Sequence, residues 1–275
     1  IVLTGFIFSV TYAQEGGDDE FLSKRGLKIL PEAGDIGLGV NGIPIISYFG
    51  NTFNGTAFNT SSFNFVDGTN TIYGKYFLDE SSAVRAKIRI AHNKVTDMEY
   101  IMKDTVPIPD PFVQVKDYEY TTTSNITLSV GYEMRRGKGR VQGFYGGEFM
   151  FNYASGNTKY EYGNGYGPDN TNPFTTNFGS NVTASGRTLE QINGKTLGAG
   201  LGGFIGVEYF FAPKISVGGE FGWGFLFNKT GDGEVTEEQW DGLQIQEIET
   251  QTGGGKNFNL DTDNAFGAIY LMFHF

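Results

Sequence analysis

The feature that most constrains the fold is an alternation of apolar and polar side chains, with a period of two residues, that recurs in eight stretches. In the last stretch Phe275, Phe273 and Leu271 share one side of an extended chain, whereas His274 and Tyr270 share the other. The eight stretches span residues 34–48, 71–78, 83–93, 124–135, 141–153, 196–211, 215–227 and 262–275. A period of two indicates β-strands, so the sequence predicts an all-β protein.

The connections between these strands alternate in length along the chain. Three are tight turns of a few residues, at 79–82, 137–140 and 212–214. The other four are long and rich in Gly, Asn, Thr and Asp, and they span residues 50–70, 94–123, 154–195 and 228–261. Compact soluble domains rarely keep several connections of this length, whereas outer-membrane barrels combine short periplasmic turns with long outer loops. Residues 34–275 are therefore predicted to form an eight-stranded antiparallel up-and-down transmembrane β-barrel with four long extracellular loops.

The charged residues of the strands indicate which face points inward. All of them lie opposite the apolar face, and the two signs are nearly balanced. The cations are Arg85, Lys87, Arg89 and Arg135, and the anions are Glu133, Glu148, Glu208 and Glu220. An eight-stranded barrel is just wide enough for its own side chains, and buried charges are tolerated when they are paired. We therefore expect a charged network in the lumen, with glycines such as Gly198 and Gly218 leaving room for long side chains.

A soluble, lipocalin-like barrel is the alternative to a membrane barrel. Its outward strand faces would carry scattered Lys and Glu residues. The seventh strand instead places Phe221, Trp223, Phe225 and Phe227 on one face, which favours contact with lipid.

The composition excludes several classes of function. A net charge of -11 argues against a nucleic-acid partner, because phosphate binding needs a basic face. The chain has no cysteine, which excludes disulfides and thiolate ligands or nucleophiles. No cofactor and no metal site are predicted.

The amino-terminal residues precede the strand pattern. Residues 1–13 are mostly apolar and end in small residues before the polar segment that starts at Gln14. This pattern is typical of a secretory signal peptide, and the stretch is too short to span a membrane as a helix, so we interpret it as the remnant of a signal. Residues 14–33 are predicted to form a periplasmic segment, either a short amphipathic helix or a linker.

Two runs of sequence resemble a known family. They are GYEMRRGKGR at 131–140 with QGFYGGE at 142–148, and EYFFAPKISVGGEFGW at 208–223. They look like the porin-like outer-membrane β-barrel family of the Gram-negative Bacteroidota, which is similar in architecture to the small barrels typified by OmpA and OmpX. The resemblance covers about residues 34–275 and implies an integral outer-membrane location. Members of that family mostly lack an assigned activity, so it implies no catalytic or binding residues.

Our first functional hypothesis is a non-enzymatic outer-membrane protein. Its extracellular loops would make it a structural, binding or accessory subunit, alone or within a larger outer-membrane complex, in contact with lipid and lipopolysaccharide. A small passive porin is the alternative, and the charged lumen argues against it. The loop at 228–261 contains eight acidic residues and two lysines, a net charge of -6. Its spacing matches no calcium loop, so we expect a solvated acidic loop, with divalent-cation binding as the alternative.

A lipid-modifying enzyme is the second alternative. Such an enzyme needs a histidine together with a serine and a carboxylate. Only His92 and His274 are present, and we expect His92 at the outer rim with no serine nearby and His274 at the periplasmic end. The sequence therefore predicts no catalytic residues.

Overall fold

A computed structural model describes residues 22–42, 71–104, 110–137, 139–180, 185–261 and 268–275. These residues form eleven β-strands, and none of them belongs to a helix long and apolar enough to cross a membrane. The strands are β1 (Ile36–Asn41), β2 (Ile72–Asp79), β3 (Ser82–Met102), β4 (Gln114–Arg136), β5 (Val141–Glu161), β6 (Gly186–Ala212), β7 (Ile215–Thr230), β8 (Gly233–Trp240), β9 (Ile245–Thr252), β10 (Gly255–Asp261) and β11 (Ala268–His274).

Eight of the strands close a ring in which every pairing is antiparallel. Strands β1 to β7 pair in chain order, β11 pairs with β7, and β11 also pairs with β1. Closure leaves no free edge where the eight strands pair. The remaining strands extend one end: β8 and β9 continue the sheet beside β6, and β10 pairs with β7 beyond the end of β11. The all-β antiparallel prediction is confirmed.

We call the end with the short turns the turn end and the opposite end the loop end. At the loop end the predicted loops are partly wrong, because β3, β4, β5 and β6 run well beyond their predicted limits. Strand β3 continues to Met102 rather than ending at 93, and β4 begins at Gln114 rather than 124. The segment 228–261 is also largely strand, since it forms the end of β7 and all of β8, β9 and β10. The predicted loop at 50–70 and residues 43–48 and 262–267 of two predicted strands lie outside the described residues.

The predicted sidedness of the strands is confirmed. Along β7 the small and polar Ser216, Gly218 and Glu220 point inward and are buried, while Phe221 and Trp223 point outward and are exposed. The same alternation holds around the ring. The interior therefore contains the charged side chains, packed with aromatic rings, and the described outer surface forms an apolar belt, the reverse of the arrangement in a water-soluble protein.

The described part of the amino-terminal segment lies against the turn end. Ile29 is buried, and its carbonyl accepts a hydrogen bond of 3.1 Å from the Lys214 amide in the turn between β6 and β7. Leu22 and Lys28 form an antiparallel bridge around a turn, so residues 22–33 are not the amphipathic helix considered above. The stretch 14–21, like 1–13, lies outside the described residues.

Candidate functional site

The turn-end half of the ring encloses a network of buried charges, which we call the ionic cluster. Its eight members are Lys75, Arg85, Lys87, Arg135, Glu133, Glu148, Glu208 and Glu220. Arg135 Nη1 lies 2.7 Å from both Glu133 Oε1 and Glu208 Oε2, and Arg85 Nη2 lies 2.6 Å from Glu220 Oε2. Four cations face four carboxylates, so the cluster is neutral overall and its charges compensate one another.

The predicted lumenal charges are thus brought together, with two differences. Lys75 was missed by the sequence analysis, although it lies two residues from both Tyr73 and Phe77 and so shares their inward face. Lys75 Nζ lies 2.9 Å from Glu133 Oε1. Arg89 was expected in the network but forms no ion pair with any described residue.

Aromatic rings fill the space between these charges. The Arg85 guanidinium lies 3.9 Å from the centre of the Phe204 ring, and Lys75 Nζ lies 4.6 Å from that of Phe144. Glycines make room for the rings: a methyl group at Gly206 would lie only 2.2 Å from Phe144 Cζ, and one at Gly218 only 2.3 Å from Tyr270 Cζ. Gly218 therefore leaves room for a large lumenal side chain, as predicted. Charged and aromatic side chains together fill the turn-end half of the ring.

The loop-end half contains a cavity of about 710 Å³. Its lining combines apolar surface with neutral amides and hydroxyls, which can both donate and accept hydrogen bonds. The inward-facing polar residues of the lining are Asn93, Thr123, Asn125, Asn193 and Thr196, with Arg89 on the side of the ionic cluster. A cavity of this size and chemistry suits a small polar molecule, and its one cationic group favours an anion.

The level of the ring that contains Arg89 also has an unsatisfied hydrogen-bonding group. Asn228 points inward from β7 over Gly198, and its Oδ1 is buried without a partner among the described residues. On the neighbouring strands Thr127 Oγ1 donates to Asn152 Oδ1 at 3.2 Å. The Arg89 guanidinium and the Asn228 amide therefore leave a donor and an acceptor available at one level of the ring.

At the loop end, residues 162–180 fold across the extended strands, and we call this segment the cap. Arg187 of β6 is buried beneath it and donates to the carbonyls of Asn164 at 2.6 Å and Thr175 at 3.0 Å. Its Nε also donates to Glu238 of β8 at 2.6 Å. One guanidinium thus joins the cap to β6 and β8, which fixes the position of the cap.

A second anchor of the cap is Asp117 on β4. Its Oδ1 accepts a hydrogen bond of 2.9 Å from the Gly163 amide. Burial raises the pKa of the Asp117 carboxyl, and the hydrogen bond from Gly163 and the charge of Arg187 offset only part of that rise. This aspartate lies on the extension of β4, beyond the apolar belt.

Both histidines have a serine partner, which corrects the expectation that His92 has none nearby. His92 Nδ1 lies 2.8 Å from Ser124 Oγ across the β3–β4 pair, because register brings together residues that are distant in sequence. Both side chains are on the outer face, and no described carboxylate forms an ion pair with His92. The contact lacks the third group of a catalytic triad.

His274 has both a serine and a carboxylate nearby, yet the arrangement differs from a triad. Its Nε2 lies 3.1 Å from Ser216 Oγ and 3.5 Å from Glu208 Oε1. A triad uses the two ring nitrogens for different partners, whereas here Nδ1 is buried without one. Ser216 is itself fully buried and donates to Glu208 at 2.6 Å, so this group belongs to the packing of the turn end.

The acidic strands β8 and β9 contain no metal centre. Nowhere in the described ranges do three or more His, Asp or Glu side chains group in a way that would hold a metal ion. Glu238, one of the acidic residues, is instead paired with Arg187.

Comparisons with known proteins add little to this geometry. No family model matches the sequence, and a search of curated proteins finds no match. Among solved structures, the chain is similar to the outer membrane protein OprG from Pseudomonas aeruginosa, with 9% identity and a TM-score of 0.28 over 90% of this chain and 98% of that one. Similarity this weak supports neither a family nor an activity, so membership of the Bacteroidota family stays a prediction.

Proposed function

We propose that this protein is an integral outer-membrane β-barrel without enzymatic activity, whose closed lumen anchors a binding surface at its loop end. In this proposal the short turns face the periplasm and the cap faces outward. The protein acts alone or as an accessory subunit of a larger outer-membrane complex. The single observation that carries the proposal is the inverted distribution of polar and apolar side chains.

The inverted distribution is costly in water and favourable in lipid. Large side chains such as Phe149, Leu201 and Val207 expose about half of their surface on the outside of the ring. In a bilayer this belt replaces contacts with water by contacts with lipid, and the antiparallel pairing of the described strands satisfies their backbone groups within the ring. On β4 the outward apolar run extends from Ile126 to Met134, which matches the roughly 9–11 residues of a membrane-crossing strand.

The filled turn end argues against a porin. A continuous aqueous path would have to pass the ionic cluster, in which Glu133 and Glu208 have no accessible surface. The members are bound to one another by several contacts each, so none can move aside without leaving another charge unpaired. We therefore expect no conductance above that of a protein-free bilayer.

The loop end supports the binding role. Strands β3 to β6 extend beyond the apolar belt and carry β8 and β9, and the cap lies across them, held by Arg187 and Asp117. A surface built on paired strands has a defined shape in the absence of a partner, which lowers the entropy lost on binding. The polar cavity beneath it provides a second contact region for a small ligand.

The test is extraction of the native protein from outer membranes in a mild detergent, followed by size analysis and identification of co-migrating proteins. Co-migration with a larger barrel or a surface lipoprotein in a fixed ratio would support the subunit role. A protein that migrates alone would overturn the subunit role and leave the binding role to be tested with small polar ligands.

Two further measurements test the membrane location and the closed lumen. A protein that fractionates as soluble, or fails to insert into lipid vesicles, would contradict the membrane assignment. Steady single-channel conductance in a planar bilayer would contradict the closed lumen and favour the porin.

A further inference from the structure

Three lysines form a patch on the outer face of the ring, immediately above the apolar belt at the loop end. They are Lys195 on β6, Lys229 on β7 and Lys256 on β10, and we call them the lysine patch. All three side chains are exposed. The neighbouring Asn228 is buried on the inner face of β7, which places Lys229 on the outer face together with Phe227.

The register of the strands brings like charges together. Lys229 and Lys256 are direct partners across the β7–β10 pair, and Lys195 lies two residues from Leu197, the partner of Lys229 on the other side. Side chains directly opposite in an antiparallel pair have Cβ atoms only about 5 Å apart, and two like charges there are destabilising. An anion that lies between the two ammonium groups would remove this repulsion.

No described residue supplies that anion. None of the three lysines forms an ion pair within the described chain, although the protein has a net charge of -11. The nearby Asp232 carboxylate instead accepts a hydrogen bond of 2.9 Å from the Gly254 amide.

The surface below the patch is aromatic and apolar. Phe227 and Phe258 are partners directly beneath Lys229 and Lys256, followed by Phe225 and Leu260. The Phe225 and Phe258 ring centres lie 6.1 Å apart, and Phe258 and Leu260 are each more than 60% exposed. Ammonium groups directly above an exposed apolar surface match a lipid with a negatively charged headgroup and hydrocarbon chains.

We infer that the lysine patch binds the phosphate groups of a lipopolysaccharide molecule, whose acyl chains lie on Phe227, Phe258 and Leu260. The inference rests on the proposed membrane location and orientation, which place this rim in the outer leaflet. The ammonium groups approach the phosphates, and the bound anion removes the repulsion between Lys229 and Lys256.

The outward lysines on the other wall of the ring provide a matched control. Lys94, Lys116 and Lys159 also point outward at the loop end, but they are dispersed. Lys159 lies 3.6 Å from Glu161, Lys116 lies 5.1 Å from the centre of the Tyr100 ring, and Lys94 faces Thr122. Replacing these three lysines alters the net charge of the protein by the same amount as replacing the three lysines of the lysine patch.

The experiment measures the affinity of the full chain, refolded in a neutral detergent, for purified lipopolysaccharide. The variant K195Q/K229Q/K256Q is expected to bind about 100-fold more weakly, since each lysine near an anionic headgroup contributes about a fivefold change. The control K94Q/K116Q/K159Q is expected to change the affinity by no more than about twofold. Folding of each variant to the closed ring is checked by electrophoresis, because the unheated, folded protein migrates differently from the heated, unfolded chain.

Three outcomes would overturn the inference: unchanged affinity in the patch variant, equal losses in patch and control variants, or equal binding of dephosphorylated lipopolysaccharide. Displacement of lipopolysaccharide by inorganic phosphate at similar concentration would assign the site to free phosphate and overturn the lipid. Failure of the unmodified chain to insert into vesicles would instead refute the proposed function.

A single substitution separates a binding role from a structural one. Without lipopolysaccharide, K229Q is expected to leave the unfolding temperature unchanged or to raise it, because repulsion from Lys256 is removed. With saturating lipopolysaccharide, the unmodified protein is expected to gain more thermal stability than K229Q. Equal losses of stability with and without lipopolysaccharide would show that Lys229 supports only the fold.

Discussion

The two halves of the ring interior are both polar, but their side chains differ in charge and in how they are satisfied. In the turn-end half, four cations and four carboxylates pair with one another among aromatic rings, and only Arg135 Nη2 and Glu148 Oε2 of these described charged groups are buried without a hydrogen-bond partner. In the loop-end half, a cavity of about 710 Å³ is lined in part by amides and hydroxyls, Arg89 forms no ion pair with a described residue, and Asn228 Oδ1 is buried without a partner among the described residues. The comparison separates two uses of polar groups: paired charges fill the turn-end half, and polar groups without an ion pair leave the loop-end half able to bind.

Arg85 and Arg89 test this difference most directly, because they lie on the same face of β3. Replacing Arg85 with alanine removes the partner of Glu220 and leaves buried carboxylates uncompensated, at an expected cost of about 3–5 kcal/mol. Replacing Arg89 with alanine is expected to cost about 0.5 kcal/mol or less, since it forms no ion pair with a described residue. The measurement is the free energy of unfolding by urea in lipid vesicles. Equal costs would mean that the two halves do not differ as described.

The buried guanidinium of Arg187, at the loop end, shows whether the cap depends on the same principle. Arg187→Ala removes charge-assisted hydrogen bonds to the cap and to Glu238, and we expect a loss of about 2–3 kcal/mol in the stability of the loop end. The measurement is protease protection of residues 162–180. Lys159→Ala, which breaks the exposed pair with Glu161, is the control and should cost less than about 1 kcal/mol. Unchanged protection in the Arg187 variant would exclude it as the anchor.

The filled half also predicts a difference between two glycines on paired strands. A methyl group at Gly206 would overlap Phe144, so Gly206→Ala should cost about 1–3 kcal/mol of unfolding free energy in vesicles. At Gly219, the partner of Val207, a methyl group meets nothing within 4 Å, and Gly219→Ala should be nearly neutral. A neutral Gly206 variant would indicate that the interior has room to repack.

The sequence was informative where lipid and lumen impose opposite demands on alternate residues. The strand phases, the inward positions of Arg85, Glu148 and Glu208, and the turns at 79–82 and 212–214 follow from that alternation. Where both faces of a strand meet water, the alternation disappears. In the part of β3 beyond Asn93 every residue up to Tyr100 is exposed, so pairing alone defines the strand and a loop was predicted.

The candidate site was less accessible to sequence reasoning, because its contacts join residues far apart in the chain. The Asn164 side chain contacts Met102, and His92 contacts Ser124. No local pattern marks either pair. The missing ion pair of Arg89 likewise depends on which carboxylates the register brings within reach, since the alternation itself is the same for Arg85 and Arg89.

The smallest expected effect is a pH dependence of the cap. The pKa of Asp117 is raised by burial in the folded protein, so the folded state binds more protons than the unfolded chain above about pH 4. Stability of the cap should therefore fall as the pH rises from the ordinary aspartate range through the raised pKa. Asp117→Asn keeps the acceptor for the Gly163 amide but cannot ionise, so this decline should disappear. Hydrogen exchange of the amides in residues 162–180 measures both.

Asp241, in the turn between β8 and β9, provides a control of opposite sign. Its Oδ1 accepts hydrogen bonds from the amides of Gln244 at 2.8 Å and Leu243 at 2.7 Å, and these bonds lower its pKa. Its contribution is therefore present above the ordinary aspartate range and is lost as the pH falls through the lowered pKa. Asp241→Asn should change exchange only in that turn and leave the pH dependence of the cap intact. If the cap keeps its decline in Asp117→Asn, a group other than Asp117 links protonation to the loop end.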